Sequence, residues 1–133
     1  MAELAIILPL LLIVLFGIIE FGLILYDKAV ITNSSREGAR AGVVFRSDPN
    51  TGDYQPYTLA EIQGVVNTYL DNGNLLIPQA LPTTTAPDGI CTGTGFQLRV
   101  RVVYPYNFIV LPNLVTSLTG PINLAGEALM RCE

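Results

Sequence analysis

LAIILPLLLIVLFGIIEFGLILY, residues 4–26, is an apolar run of 23 residues with a single charge, Glu20, in its interior. As a helix rising ~1.5 Å per residue it reaches about 35 Å, enough to cross a hydrocarbon core of ~30 Å. A secretory signal needs a basic segment, a shorter apolar stretch and a small-residue cleavage site. Nothing basic precedes Leu4, and Tyr26-Asp27-Lys28 leads straight into further helical sequence, so the run is read as a retained part of the protein.

Working outward, small or apolar residues recur at Ala29, Val30, Asn33, Gly38, Ala39, Gly42 and Val43, among the charges Asp27, Lys28, Arg36, Glu37 and Arg40. This amphipathic pattern carries a narrow stripe of small side chains that lets another helix approach closely. Pro9, Gly17 and Gly22 each weaken the backbone ladder and are expected to bend or loosen it. Ser47-Asp48-Pro49-Asn50 is a stop signal, so one helix is predicted to end near Phe45.

Thr58-Leu59-Ala60-Glu61 is a capping box, and Leu59, Ile62, Val65, Val66, Tyr69 and Leu70 follow at helical spacing up to Asn72-Gly73. Leu75–Ile77 reads as a short strand, and Pro78–Gly95, rich in Pro, Thr and Gly, as loop. Phe96, Leu98, Val100, Val102 and Tyr104 alternate with Gln97, Arg99, Arg101 and Val103, the pattern of a half-buried strand. Ile122–Cys132 forms a second one, with Ile122, Leu124, Ala128 and Met130 inward. Its outer Glu127 and Arg131 would sit across from Arg99 and Arg101. The apolar connection Pro105–Val115 either covers the head's own helix or forms a contact surface for a neighbouring subunit.

If the two strands run antiparallel, Cys91, just before the first, lies beside Cys132, at the end of the second. A disulfide would staple a head of about 85–90 residues in an oxidising compartment; two buried thiols are the other reading. The first basic residues, Lys28, Arg36 and Arg40, follow the span, which by charge alone puts the head in the cytoplasm. A disulfide puts it outside. Both hold if a basic leader once preceded Met1, and the chain is read as such a mature form.

The 133 residues carry 11 acids against 7 bases, with no histidine. No cluster of bases offers a face for nucleic acid. The commonest general base and metal ligand is missing, and Ser34, Ser35, Ser47 and Ser117 have no histidine to activate them. Asp48 and Asp53 flank a glycine-containing loop without the series of oxygen ligands a calcium loop needs. Asn33-Ser34-Ser35 matches a glycosylation pattern, but inside a predicted helix. The chain is therefore expected to be no enzyme and to hold no metal or cofactor.

The informative charges are two glutamates. Glu3 lies two residues from the amino group of Met1 and is placed either to meet that group on a neighbouring copy or to sit among headgroups. Glu20, costly in an apolar helix unless paired, calls for water, a donor or a base; Lys28 of an adjacent, shifted helix is one candidate, and a membrane-edge position the alternative.

Glu3-Leu4-Ala5-Ile6-Ile7-Leu8-Pro9-Leu10-Leu11-Leu12, Phe16-Gly17-Ile18-Ile19-Glu20-Phe21-Gly22 and Ile31-Thr32-Asn33-Ser34-Ser35-Arg36-Glu37-Gly38-Ala39-Arg40 resemble the N-terminal signature of TadE-like pilins of the tight-adherence system. The later Val100-Arg101-Val102-Val103-Tyr104-Pro105 strand and the closing Met130-Arg131-Cys132-Glu133 resemble the family's C-terminal pattern more weakly. The resemblance implies a type IV pilin-like subunit that waits in the bacterial inner membrane. A prepilin peptidase and the pilus assembly machinery then trim it and extract it into an extracellular filament, packed helix on helix against copies of itself. It maps the family's assembly glutamate onto Glu3, earlier than the usual fifth position. The family also holds minor subunits, so a pseudopilin or single-pass envelope protein that assists assembly without forming the shaft is the alternative. The expected fold is α+β: a long N-terminal helix over 1–45 and, over 46–133, a small head with one helix packed on an antiparallel sheet.

Overall fold

A computed structural model describes residues 2–49, 51–72, 76–110 and 120–133. The chain opens with α1 (Ala2–Gly42), unbroken through Pro9, Gly17 and Gly22, and continues into β1 (Arg46–Ser47), β2 (Tyr54–Gln55), α2 (Leu59–Asp71), β3 (Thr83–Thr85), β4 (Gln97–Tyr106) and β5 (Ile122–Arg131). The expected α+β architecture is present. Strands β3, β4 and β5 make one antiparallel sheet in that order, and β1 and β2 a separate two-stranded ribbon.

α1 has two unlike halves. From Ile7 to Ile19 its side chains stand in the open, whereas from Glu20 onward one face is covered. The buried positions there, Glu20, Asp27, Val30, Ile31, Ser34, Ser35, Gly38, Ala39 and Gly42, with half-buried Leu23 and Ile24, follow the three-and-four spacing of a single helical stripe, flanked by half-buried Thr32, Glu37 and Ala41. That stripe lies on the inward faces of β4 and β5 and against α2, so α1 contributes Val30, Ile31, Ala39 and Val43 to the same core as Ile62, Val66, Leu98, Val100 and Val102.

The small residues are where backbones or side chains come too close for a larger group. A Cβ on Gly126 of β5 would stand 2.6 Å from the Ile31 carbonyl oxygen of α1. One on Gly42 would stand 2.5 Å from Leu98 Cδ2 and 2.8 Å from Ile62 Cδ1. The helix that uses the stripe's close approach is thus the chain's own α2, with the sheet beside it.

α2 begins as its sequence demands. The Thr58 hydroxyl accepts from the Glu61 N–H, and the Glu61 carboxylate accepts from the Thr58 N–H at 2.8 Å. The same carboxylate takes Arg46, whose guanidinium also lies 5.1 Å over the Tyr57 ring and pins the β1–β2 ribbon to the helix start. These contacts, the Thr58 backbone N–H foremost, hold the Glu61 carboxyl below its ordinary range.

Four local expectations change. Leu76 and Ile77 form no strand, and Leu75 lies outside the described residues. The Pro78–Gly95 loop contains β3, which pairs with β4 through Thr83↔Val103 and Thr85↔Arg101; three β-branched residues suit an edge strand. Phe96 and Ile122, expected inward, are 60% and 37% exposed, because they lie at or just beyond the ends of β4 and β5. Of the outer-face pairs, Glu127 stands opposite Arg101 and reaches diagonally to Arg99 at 3.3 Å, while Arg131 faces Gln97.

The β4–β5 register does bring the cysteines together. Cys91 and Cys132 form a disulfide with Cα atoms 5.9 Å apart, both buried. The Cys132 N–H donates to Phe96 O at 2.8 Å, and the Glu133 N–H to Val43 O at 3.2 Å, tying the end of β5 to the end of α1.

Candidate assembly and anchoring surface

The free half of α1 presents large apolar side chains on every side: Ile7, Leu8, Leu10, Leu11 and Ile18 are each more than half exposed. The belt persists on the open side of the docked half as Phe21, Leu25 and Tyr26, and then turns polar at Asn33, Arg36 and Arg40. Among the described residues α1 is the one helix long and apolar enough to cross a membrane, with a window of mean hydropathy 2.7. So much exposed apolar surface is unstable in water and marks a contact with lipid or protein.

Where the belt meets the head stands Glu20, 3% exposed. Tyr106, the last residue of β4, donates its hydroxyl to Glu20 Oε1 at 2.5 Å, and the Ile109 N–H donates to the same oxygen at 3.0 Å. The Val110 N–H donates to Oε2 at 2.7 Å. A buried carboxylate is tolerated when donors of this kind surround it. The start of the apolar connection, expected on the head's own helix or facing a neighbouring subunit, instead caps Glu20 of α1 through Ile109 and Val110; residues 111–115 lie outside the described residues. Burial and the bond to Glu20 push the Tyr106 phenol upward, and burial, with the Asp27 charge behind it, pushes Tyr104 to about 12.

Sequence reasoning placed Asp27 among surface charges, yet it is fully buried two turns beyond Glu20 on the same face. Its Oδ1 accepts from the Ile77 N–H at 3.0 Å, and Tyr104 donates to the neighbouring Pro78 carbonyl. The signal was available: a spacing of seven puts two carboxylates on one helical stripe. Each binds backbone N–H groups of the segment that passes over it.

Lys28 points to the sheet, and its ammonium donates to the Ala125 carbonyl of β5. The expected Glu20–Lys28 pairing was between copies; within one chain each group is engaged with the head. Met1 and the Glu3 side chain lie outside what is described. Among the described residues no group of three His, Cys, Asp or Glu side chains is gathered as metal ligands would be.

A family model described as TadE-like protein matches residues 1–40. It ends within α1, just before the helix stops, and agrees with the resemblance in the N-terminal signature. No curated protein and no solved structure matches the chain.

Proposed function

We propose that this chain is a structural subunit of a tight-adherence, type IV pilus-like filament, held in the bacterial inner membrane before assembly and packed afterwards against copies of itself. The observation that carries the reading is the two-part α1. From Ile7 to Ile19 it is apolar on all sides and, among the described residues, belongs to no core of its own chain, while its second half is fixed in the head by matched burial and by Glu20 and Asp27. A helix that only anchored a domain would need the first half alone. One rigid with its head transmits the position of each head to the packing of the helices.

The role proposed is structural rather than catalytic. In the assembled state the apolar belt Ile7–Tyr26 exchanges lipid for neighbouring helices, a contact in which van der Waals packing replaces equivalent lipid contacts. Glu3 is assigned to the amino group of Met1 of the next subunit, and Lys28 to the rim of that contact. The proposed partners are copies of the chain, the inner membrane, the prepilin peptidase and the assembly machinery.

Filaments sheared from cells that express the chain, viewed by electron microscopy and identified by mass spectrometry, test the reading. Abundant fibres composed chiefly of this chain support it. Fibres in which the chain is a trace component, with the bulk in the membrane, would assign it to the assembly-assisting class instead.

A further inference from the structure

The position of Glu20 along α1 constrains where the head can sit while the helix is in lipid. This rests on the membrane stage of the proposed life cycle. Counted from Leu4, the first apolar residue after Glu3, Glu20 lies about 24 Å along the helix, sixteen residues at ~1.5 Å each. A hydrocarbon core of ~30 Å reaches past it, and any tilt of the helix sets it deeper. Tyr106, Ile109 and Val110, all of the head, donate to it. Whatever depth Glu20 takes, that edge of the head takes too.

We propose that the Tyr106–Val110 edge of the head is a membrane wedge that dips into the bilayer surface beside α1. Its outward chemistry suits lipid. Ile109 is 42% exposed although its own N–H is spent on Glu20, and Phe21, next to Glu20 on α1, is 61% exposed. Exposed apolar side chains thus stand on both sides of the Glu20 cap, Phe21 on the span and Ile109 on the head, with Asn107 exposed nearby in sequence. These donors lower the cost that a carboxylate at this depth would otherwise carry. The wedge explains why the apolar belt outruns Glu20 by about 9 Å on the open side, six residues at ~1.5 Å each: the whole collar, helix and edge together, is wetted by lipid.

The chain contains no tryptophan, so a single one reports its own surroundings. Ile109→Trp, Asn107→Trp, Phe16→Trp in the free half and Tyr54→Trp in the β1–β2 ribbon would each be made in the full chain and reconstituted into phosphatidylcholine vesicles. Fluorescence is compared with and without lipids brominated near the glycerol end of the acyl chain. The wedge requires at least twofold quenching at 109 or 107 and at 16, with none at 54. Quenching at 16 but at neither 109 nor 107 overturns the wedge and leaves the membrane reading intact. No quenching at 16 overturns both. Using two edge positions keeps the test decisive if one substitution disturbs the cap on Glu20.

Discussion

Tyr106 and Glu20, 86 residues apart in sequence, meet in a buried hydrogen bond that joins the end of the central strand to the middle of the long helix. Tyr104, Tyr106 and Phe108 meet edge to face along the approach, with ring centroids 6.4 Å and 5.7 Å apart. The bond decides whether head and helix move as one body. Removing Glu20 leaves the Tyr106 hydroxyl buried without this acceptor, which costs roughly 1–3 kcal/mol, whereas removing the Tyr106 hydroxyl takes one donor from a carboxylate that keeps the Ile109 and Val110 N–H groups. Glu20→Ala and Tyr106→Phe in detergent micelles should each lower the denaturation midpoint, and the double variant should be less than additive by about 1–2 kcal/mol. Full additivity would show that the two act independently.

The Cys91–Cys132 disulfide closes a loop with a sequence separation of 41. In the chain-entropy account, closure on this scale stabilises by on the order of 4 kcal/mol. Cys91→Ser with Cys132→Ser should therefore lose a large share of the head's stability in a denaturant titration. A loss under about 1 kcal/mol would mean that the packing of α1 on the sheet already restrains this segment.

Gly126 and Gly64 make opposite predictions. Gly126→Ala drives a Cβ into the backbone of Ile31 and must lift α1 from β5, at a cost of about 2–3 kcal/mol or more. Gly64 lies exposed within α2 with nothing within 4 Å of a Cβ, so Gly64→Ala should stabilise by about 0.5–1 kcal/mol. Thermal midpoints of the two variants, measured side by side, check the contrast; equal effects would contradict the α1–β5 contact.

How much of this was legible follows from locality. The capping box, both long strands and the cysteine pair rest on neighbours in sequence or on one hairpin-like register, and each could be read directly. β3 was hidden because alternation cannot be seen in Thr83-Thr84-Thr85, where the buried and exposed residues are the same type. The partners of Glu20 and Asp27 come from segments 50 to 90 residues away, whose backbone N–H groups carry no side-chain signature. The stripe holding both carboxylates was readable, but what met it was not.

Glu61 gives a pH signature. Its carboxyl is held below the ordinary value of 4.5, so the stability it contributes is fully present above that pH and is lost as pH falls toward the lowered value. The gap in thermal midpoint between the parent chain and Glu61→Gln should be constant from pH 7 to about 5 and shrink below it. A gap that widened on acidification would reverse the sign and remove the capping account.

The central claim is that the free half of α1 packs against copies of itself in a filament. Site-specific photocrosslinking from position 11, where Leu11 is 61% exposed, tests it most directly in sheared surface material. The account predicts a ladder of crosslinked multimers of this chain from position 11 and none from position 54. Monomer alone from position 11, in material that contains the chain, would contradict it.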